Sequence, residues 1–131
     1  MVSAMQSTRD YSERIRDAQQ YVGDHLGEPL DRKVLAGVAG FSVPHFHRLF
    51  AAFTGESIAG YVRRVRMERA GRKLRMGAVD ITEVALAAGY ETHAAFSRAF
   101  KQQFGLSPSE FRRLGCGAAT RLLTKGGRHE D

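Results

Sequence analysis

The chain has 131 residues, 20 Lys and Arg against 14 Asp and Glu, a formal charge of +6 and a pI near 10. That length holds one or two small domains with modest cores, and the charge points to an anionic partner, either nucleic acid or an acidic membrane surface. Sixteen of the 20 basic residues are Arg, whose planar fork suits phosphates and base edges; the single cysteine, Cys116, excludes an intrachain disulfide, and no apolar run approaches a signal or membrane-spanning segment, so a cytoplasmic protein without a membrane partner is expected.

Met1 to Arg9 is polar and aperiodic and is expected to fray. From Asp10 to Leu26, Tyr11, Ile15, Ala18, Val22 and Leu26 recur at three- and four-residue steps, which predicts an amphipathic helix ended by Gly27 and Pro29. Asp31 can cap a short helix, Arg32 to Ala39, with Val34, Leu35, Val38 and Ala39 apolar. Gly40 supplies a left-handed turn, and Ser42 caps a second helix from Val43 to Phe53 that tolerates Pro44 in its first turn. Two helices joined by a tight glycine turn make a helix-turn-helix.

The longest helical pattern follows, Ser57 to Met76. Its apolar stripe is Ile58, Tyr61, Val62, Val65, Ala70 and Leu74, and Arg63, Arg64, Arg69, Arg72, Lys73 and Arg75 occupy much of the rest. After Gly77 the earlier pattern returns: Asp80 and Glu83 as a capping box, a short helix with Ile81, Val84, Ala85 and Ala88, a turn at Gly89, and a helix from Thr92 to Phe104. Ser107, Pro108 and Glu110 start a final short helix carrying Phe111 and Leu114, and residues 115–131 read as a flexible tail or the start of a linker.

The two halves repeat. Leu35, Ala36, Ala39, Gly40, Phe41, Phe46, Arg48, Phe50, Gly55, Ser57 and Tyr61 answer to Val84, Ala85, Ala88, Gly89, Tyr90, Phe96, Arg98, Phe100, Gly105, Ser107 and Phe111, at an offset of 49 before the turn and 50 after it. On helical wheels Phe46, Leu49, Phe50 and Phe53 face inward, leaving Pro44, Arg48 and Ala51 outward with His47 at the edge. In the second copy Phe96, Ala99, Phe100 and Phe104 face inward, with Ala94, Arg98 and Lys101 outward and Ser97 at the edge. Each outward face carries one Arg at the same place, and the small Ala51 and Ala94 beside it permit close approach to a groove.

The segments LAGVAGFSVPHFHRLFAAFTGES, YVRRVRMERAGRKL and ITEVALAAGYETHAAFSRAFKQQFGLSPSEFRR resemble the DNA-binding domain of the AraC/XylS family of bacterial transcription regulators. The resemblance spans about Leu30 to Arg113 and is most specific in its second half. It implies an all-α, seven-helix domain: a helix-turn-helix subdomain over 1–56, a linker helix over 57–76 and a second subdomain over 77–114. It also implies that one monomer sets two recognition helices in successive major-groove faces of double-stranded DNA. By position, the first helix offers Pro44, His47 and Arg48 and the second offers His93, Ala94, Ser97 and Arg98; Pro44 and Ala94 stand where relatives often carry a larger or polar reader.

Helix amino ends capped at Ser42 and Thr92, together with Lys101, are the expected phosphate partners. The resemblance further implies RNA polymerase as a second partner and transcription activation as the output. No cofactor is expected, and His45 and His47, two apart on a helix, do not converge on a metal. No enzyme activity is expected either, since Cys116 sits in a Gly-rich tail with no His partner to activate it. Many relatives carry an effector-sensing domain; a sensor attached beyond the tail is one reading and a small autonomous regulator the other. The alternative of another class is an architectural protein that binds DNA with little sequence preference.

Overall fold

Helical periodicity, caps and glycine stops predict helices almost throughout. In a computed structural model, which describes residues 4–77 and 80–114 together with Arg121 and Leu123, they are α1 (Ala4–Asp24), α2 (Arg32–Ala39), α3 (Val43–Thr54), α4 (Ile58–Arg75), α5 (Ile81–Ala87), α6 (His93–Phe104) and α7 (Pro108–Arg112), with no strand among the described residues. The chain forms two compact units, Met1–Val62 and Arg63–Asp131, which divide within α4.

In the first unit α1 packs on both α2 and α3. Ile15, Ala18, Val22 and Leu26 are buried, as are Leu35, Ala36, Ala39, Phe46 and Phe50 from the next two helices. The rings of Phe46 and Phe50 meet at 5.6 Å, and Tyr61 closes on Phe50 at 5.3 Å. The second unit repeats this arrangement with a denser aromatic core, in which Phe100 touches Phe96, Phe104 and Phe111 at 5.6, 4.7 and 5.2 Å. Met67, Ala70 and Leu74 of α4 complete that core with Ile81, Val84, Ala85 and Ala88.

These positions extend the repeat backward. Ile15, Ala18 and Val22 correspond to Met67, Ala70 and Leu74, each 52 residues later, so the duplicated unit has three helices instead of two. The carboxyl-terminal half of α4 is the first helix of the second copy. Its stripe also differs from the expected one: Met67 is buried and Val65 is only half-buried. Ile58 and Val62 are buried in the first unit, and Met67, Ala70, Gly71 and Leu74 in the second. A five-residue step from 62 to 67 turns the buried stripe by roughly 140° around the helix, which a single-stripe reading misses.

Three further expectations are corrected. Helix α1 begins at Ala4, six residues before Asp10, because good helix formers such as Met5, Gln6 and Arg9 propagate an established helix at little cost. Phe53, expected inward, is 40% exposed. The inward series in α3 is 46, 50 and 54, matching 96, 100 and 104, and Thr54 fills the last place by donating its hydroxyl to the Phe50 carbonyl at 2.7 Å. Val34 and Val38 are each 38% exposed on the outer side of α2. Asp80 accepts from the Thr82 and Glu83 amides as an N-cap, but among the described residues only Ser107 and Glu110 form the reciprocal capping box.

The tail expected over 115–131 and Cys116 lie outside the described residues, apart from Arg121 and Leu123. Leu123 is buried in the core of the second unit, against Gly71. Among the described residues no helix is long and apolar enough to cross a membrane, and no group of three or more His, Cys, Asp or Glu side chains could hold a metal.

Candidate nucleic-acid interface

Each helix-turn-helix is held by a turn that only glycine fits. Gly40 has φ 76° and Gly89 φ 92°, in the left-handed region that disfavours side chains. The residue after each glycine packs over the turn: Phe41 meets Tyr11 at 5.3 Å and His45 at 5.0 Å, and Tyr90 meets Phe96 at 5.8 Å. These rings are packing elements. Burial pushes the Tyr90 hydroxyl above its ordinary range, an effect the nearby charges of Arg63 and Arg66 oppose.

Arg14 is a positioning residue that sequence reasoning missed. Its Nε donates to the Ala39 carbonyl at 2.7 Å, its Nη2 donates to the Gly40 carbonyl, and its guanidinium lies 3.9 Å from the Phe41 ring centre. A Cβ on Gly40 would fall 2.7 Å from that Nη2, so a side chain there would have to displace the Arg14 guanidinium as well as adopt a positive φ. In the second unit Arg66 stands 52 residues after Arg14, and its Nη1 is 3.5 Å from where a Cβ on Gly89 would lie. The signal was present in the one-residue offset of both arginines from the buried stripe. A wheel that sorts residues by polarity assigns Arg14 to solvent.

The second helix of each motif begins at its expected cap. Ser42 Oγ accepts from the His45 amide at 3.4 Å, and Thr92 Oγ1 accepts from the Ala95 amide at 3.0 Å. Two backbone donors, His93 and Ala94, remain unused at the start of α6; α3 offers Val43 alone, since Pro44 has no N–H. The amino end of α6 therefore presents more free backbone N–H than that of α3.

Exposure sorts the predicted readers. Pro44, His47, Arg48 and Ala51 are exposed on α3, and His93, Ala94, Arg98 and Lys101 on α6. Ser97 is half-buried, with its Oγ 3.4 Å from His93 Nδ1, so these two side chains act as a local pair. Among the described residues no carboxylate engages Arg48 or Arg98. Both long cationic arms are consequently available to an external acceptor.

Two capped, outward-facing helices, each behind a left-handed glycine turn on a chain of net positive charge, define a helix-turn-helix nucleic-acid-binding protein. A helix-turn-helix domain family matches residues 35–114. The chain belongs to the AraC-type helix-turn-helix DNA-binding domains of transcription regulators.

It is 36% identical to the right origin-binding protein of Escherichia coli K12 over 99 residues, which is 76% of this chain but 34% of that protein. It is 32% identical to the regulatory protein SoxS of the same organism over 98 residues, covering 75% of this chain and 92% of SoxS. The chain thus spans about a third of the first relative and nearly all of the second. Among solved structures it resembles the DNA-binding domain of AdpA in complex with a target DNA, at TM-score 0.68 and 28% identity over 76% of this chain and 89% of that one. The carboxyl-terminal domain of AraT, a response regulator of Geobacillus stearothermophilus, gives TM-score 0.69 and 32% identity, with 76% and 84% covered.

Proposed function

We propose that this chain binds particular double-stranded DNA sites as a monomer, inserting α3 and α6 into successive major-groove faces, and that it activates transcription by engaging RNA polymerase as well. The observation that carries this reading is the repeated, unpaired outward Arg, Arg48 on α3 and Arg98 on α6, beside small Ala51 and Ala94. An Arg in that position can donate two parallel bonds to a guanine edge, and each such pair discriminates by about 1 to 3 kcal/mol.

Pro44, His47, His93, Ala94 and Ser97 complete the reading surfaces, while the amino ends at Ser42 and Thr92, together with Lys101, hold phosphates. Pro44 and Ala94 contribute shape, so direct readout concentrates on the two arginines.

Selection of bound sequences from random duplex, followed by competition binding at one stated salt concentration, tests the proposal. A recovered motif with two half-elements about one DNA turn apart is expected. A specificity ratio near one would instead establish the architectural reading. Arg98→Ala should relax preference at one base pair, and Lys101→Ala should weaken all sequences alike while flattening the salt dependence. Identical effects from the two changes would contradict the assignment of readers.

A further inference from the structure

Between the two buried stripes of α4, at residues 63–66, no side chain belongs to either core: Arg63 is exposed, and Arg64, Val65 and Arg66 are half-buried. Core packing therefore does not clamp this stretch. Its charges work against it as well, because arginines at 63, 66, 69, 72 and 75 recur every third residue, each a like-charged neighbour of the next. Glu68 is the single carboxylate of α4.

That carboxylate is directed to Arg64, four residues back. Glu68 Oε2 accepts from Arg64 Nη1 at 2.8 Å, and the two side chains are only 19% and 21% exposed. The Arg14–Asp10 pair of α1, by contrast, measures 3.4 Å with its carboxylate 59% exposed. Solvent screening, which reduces most surface pairs to little, acts less on the shielded pair. Arg64 makes a further interaction within the protein, so its guanidinium is held and not loose.

The first unit serves as an internal control. At the corresponding positions, 52 residues earlier, α1 carries Ser12 and Arg16, so the three-helix core packs without such a pair. There Ile15, Ala18 and Val22 keep a single buried face. The pair occurs in the helix whose buried face changes, and it ties the unclamped stretch to the part of α4 that Met67 and Ala70 anchor.

We infer that Arg64 and Glu68 are a positioning pair for DNA recognition: they fix the course of α4 where its buried face changes, and Arg64 is committed to this contact instead of to a phosphate. The positioning role rests on the proposed reading of two DNA elements by one chain, whereas the hold on α4 does not.

The first measurement therefore uses the free chain. Glu68→Gln should speed amide exchange at residues 63–68 about twofold and leave α6 unchanged. The second compares duplexes of equal length that carry both selected elements or only one. Arg64→Gln and Glu68→Gln should each lower the ratio of two-element to one-element affinity about twofold. They move the net charge in opposite directions, so a ratio that falls in both is not an effect of charge. Arg64→Lys, which keeps an ion pair, should restore most of the ratio. Arg64→Gln should also leave the salt dependence unchanged, where Lys101→Ala lowers its slope by about 0.9.

Unaltered exchange at residues 63–68 would overturn the inference whatever the DNA result. So would a ratio that moves in opposite directions in the two variants, or a salt slope that drops in Arg64→Gln, since Arg64 would then be an ordinary phosphate contact. A wild-type ratio near one, with exchange still accelerated in Glu68→Gln, would instead refute the two-element reading and the positioning role with it.

Discussion

At Gly40 two demands coincide, a left-handed backbone and room for the Arg14 guanidinium; at Gly55, φ 78°, only the first applies, since nothing lies near its absent Cβ. Gly55→Ala should therefore cost about 1 kcal/mol and Gly40→Ala about 2 to 3 kcal/mol, measured by denaturant unfolding. In an Arg14→Met background the two costs should converge. Non-convergence would mean that Arg14 does not brace the turn.

A second residue-scale prediction concerns Glu110. The Ser107 backbone N–H, and then the Ser107 hydroxyl, hold its carboxyl below the ordinary 4.5. A folded value lower than the unfolded one contributes stability above about pH 4.5 that is lost as pH falls through the folded value. Ser107→Ala should raise the Glu110 midpoint in a carboxyl-carbon NMR titration without restoring it fully, because the backbone N–H survives.

Among the elements, α6 and the core that holds Leu123 offer the sharpest tests. Thr92→Ala removes the cap of α6 and should cost about 1 kcal/mol. The same change removes an orienting group at the candidate phosphate site, so DNA affinity should fall further than stability alone explains. Leu123 occupies the space a side chain at position 71 would take. Leu123→Ala should destabilise the second unit by about 2 kcal/mol and speed hydrogen exchange there, with exchange in the first unit unchanged. Equal acceleration in both units would show that Leu123 supports more than the core in which it is buried.

For the whole molecule, α4 is both a shared helix and, in the proposed function, the spacer that sets one recognition helix against the other. Two glycines inserted at its midpoint should cost specific DNA binding far more than Arg63→Ala or Arg72→Ala, at a fixed salt concentration. The reverse order would make α4 a phosphate-binding helix first and a spacer second.

The sequence by itself determined the helix order, both glycine turns, the caps at Asp31, Ser42, Thr92 and Ser107, and the outward place of Arg48 and Arg98. These follow from local physics, since a cap, a positive φ and a 3.6-residue period each act over a few neighbouring residues. Tertiary structure alone decided that Arg14 braces a turn 25 residues away, that the buried stripe of α4 switches between Val62 and Met67, and that Leu123 belongs to a core. Each of those depends on which distant surface a side chain meets, and polarity does not encode it: an Arg at the edge of an apolar stripe looks the same whether it meets water or the carbonyls of a turn.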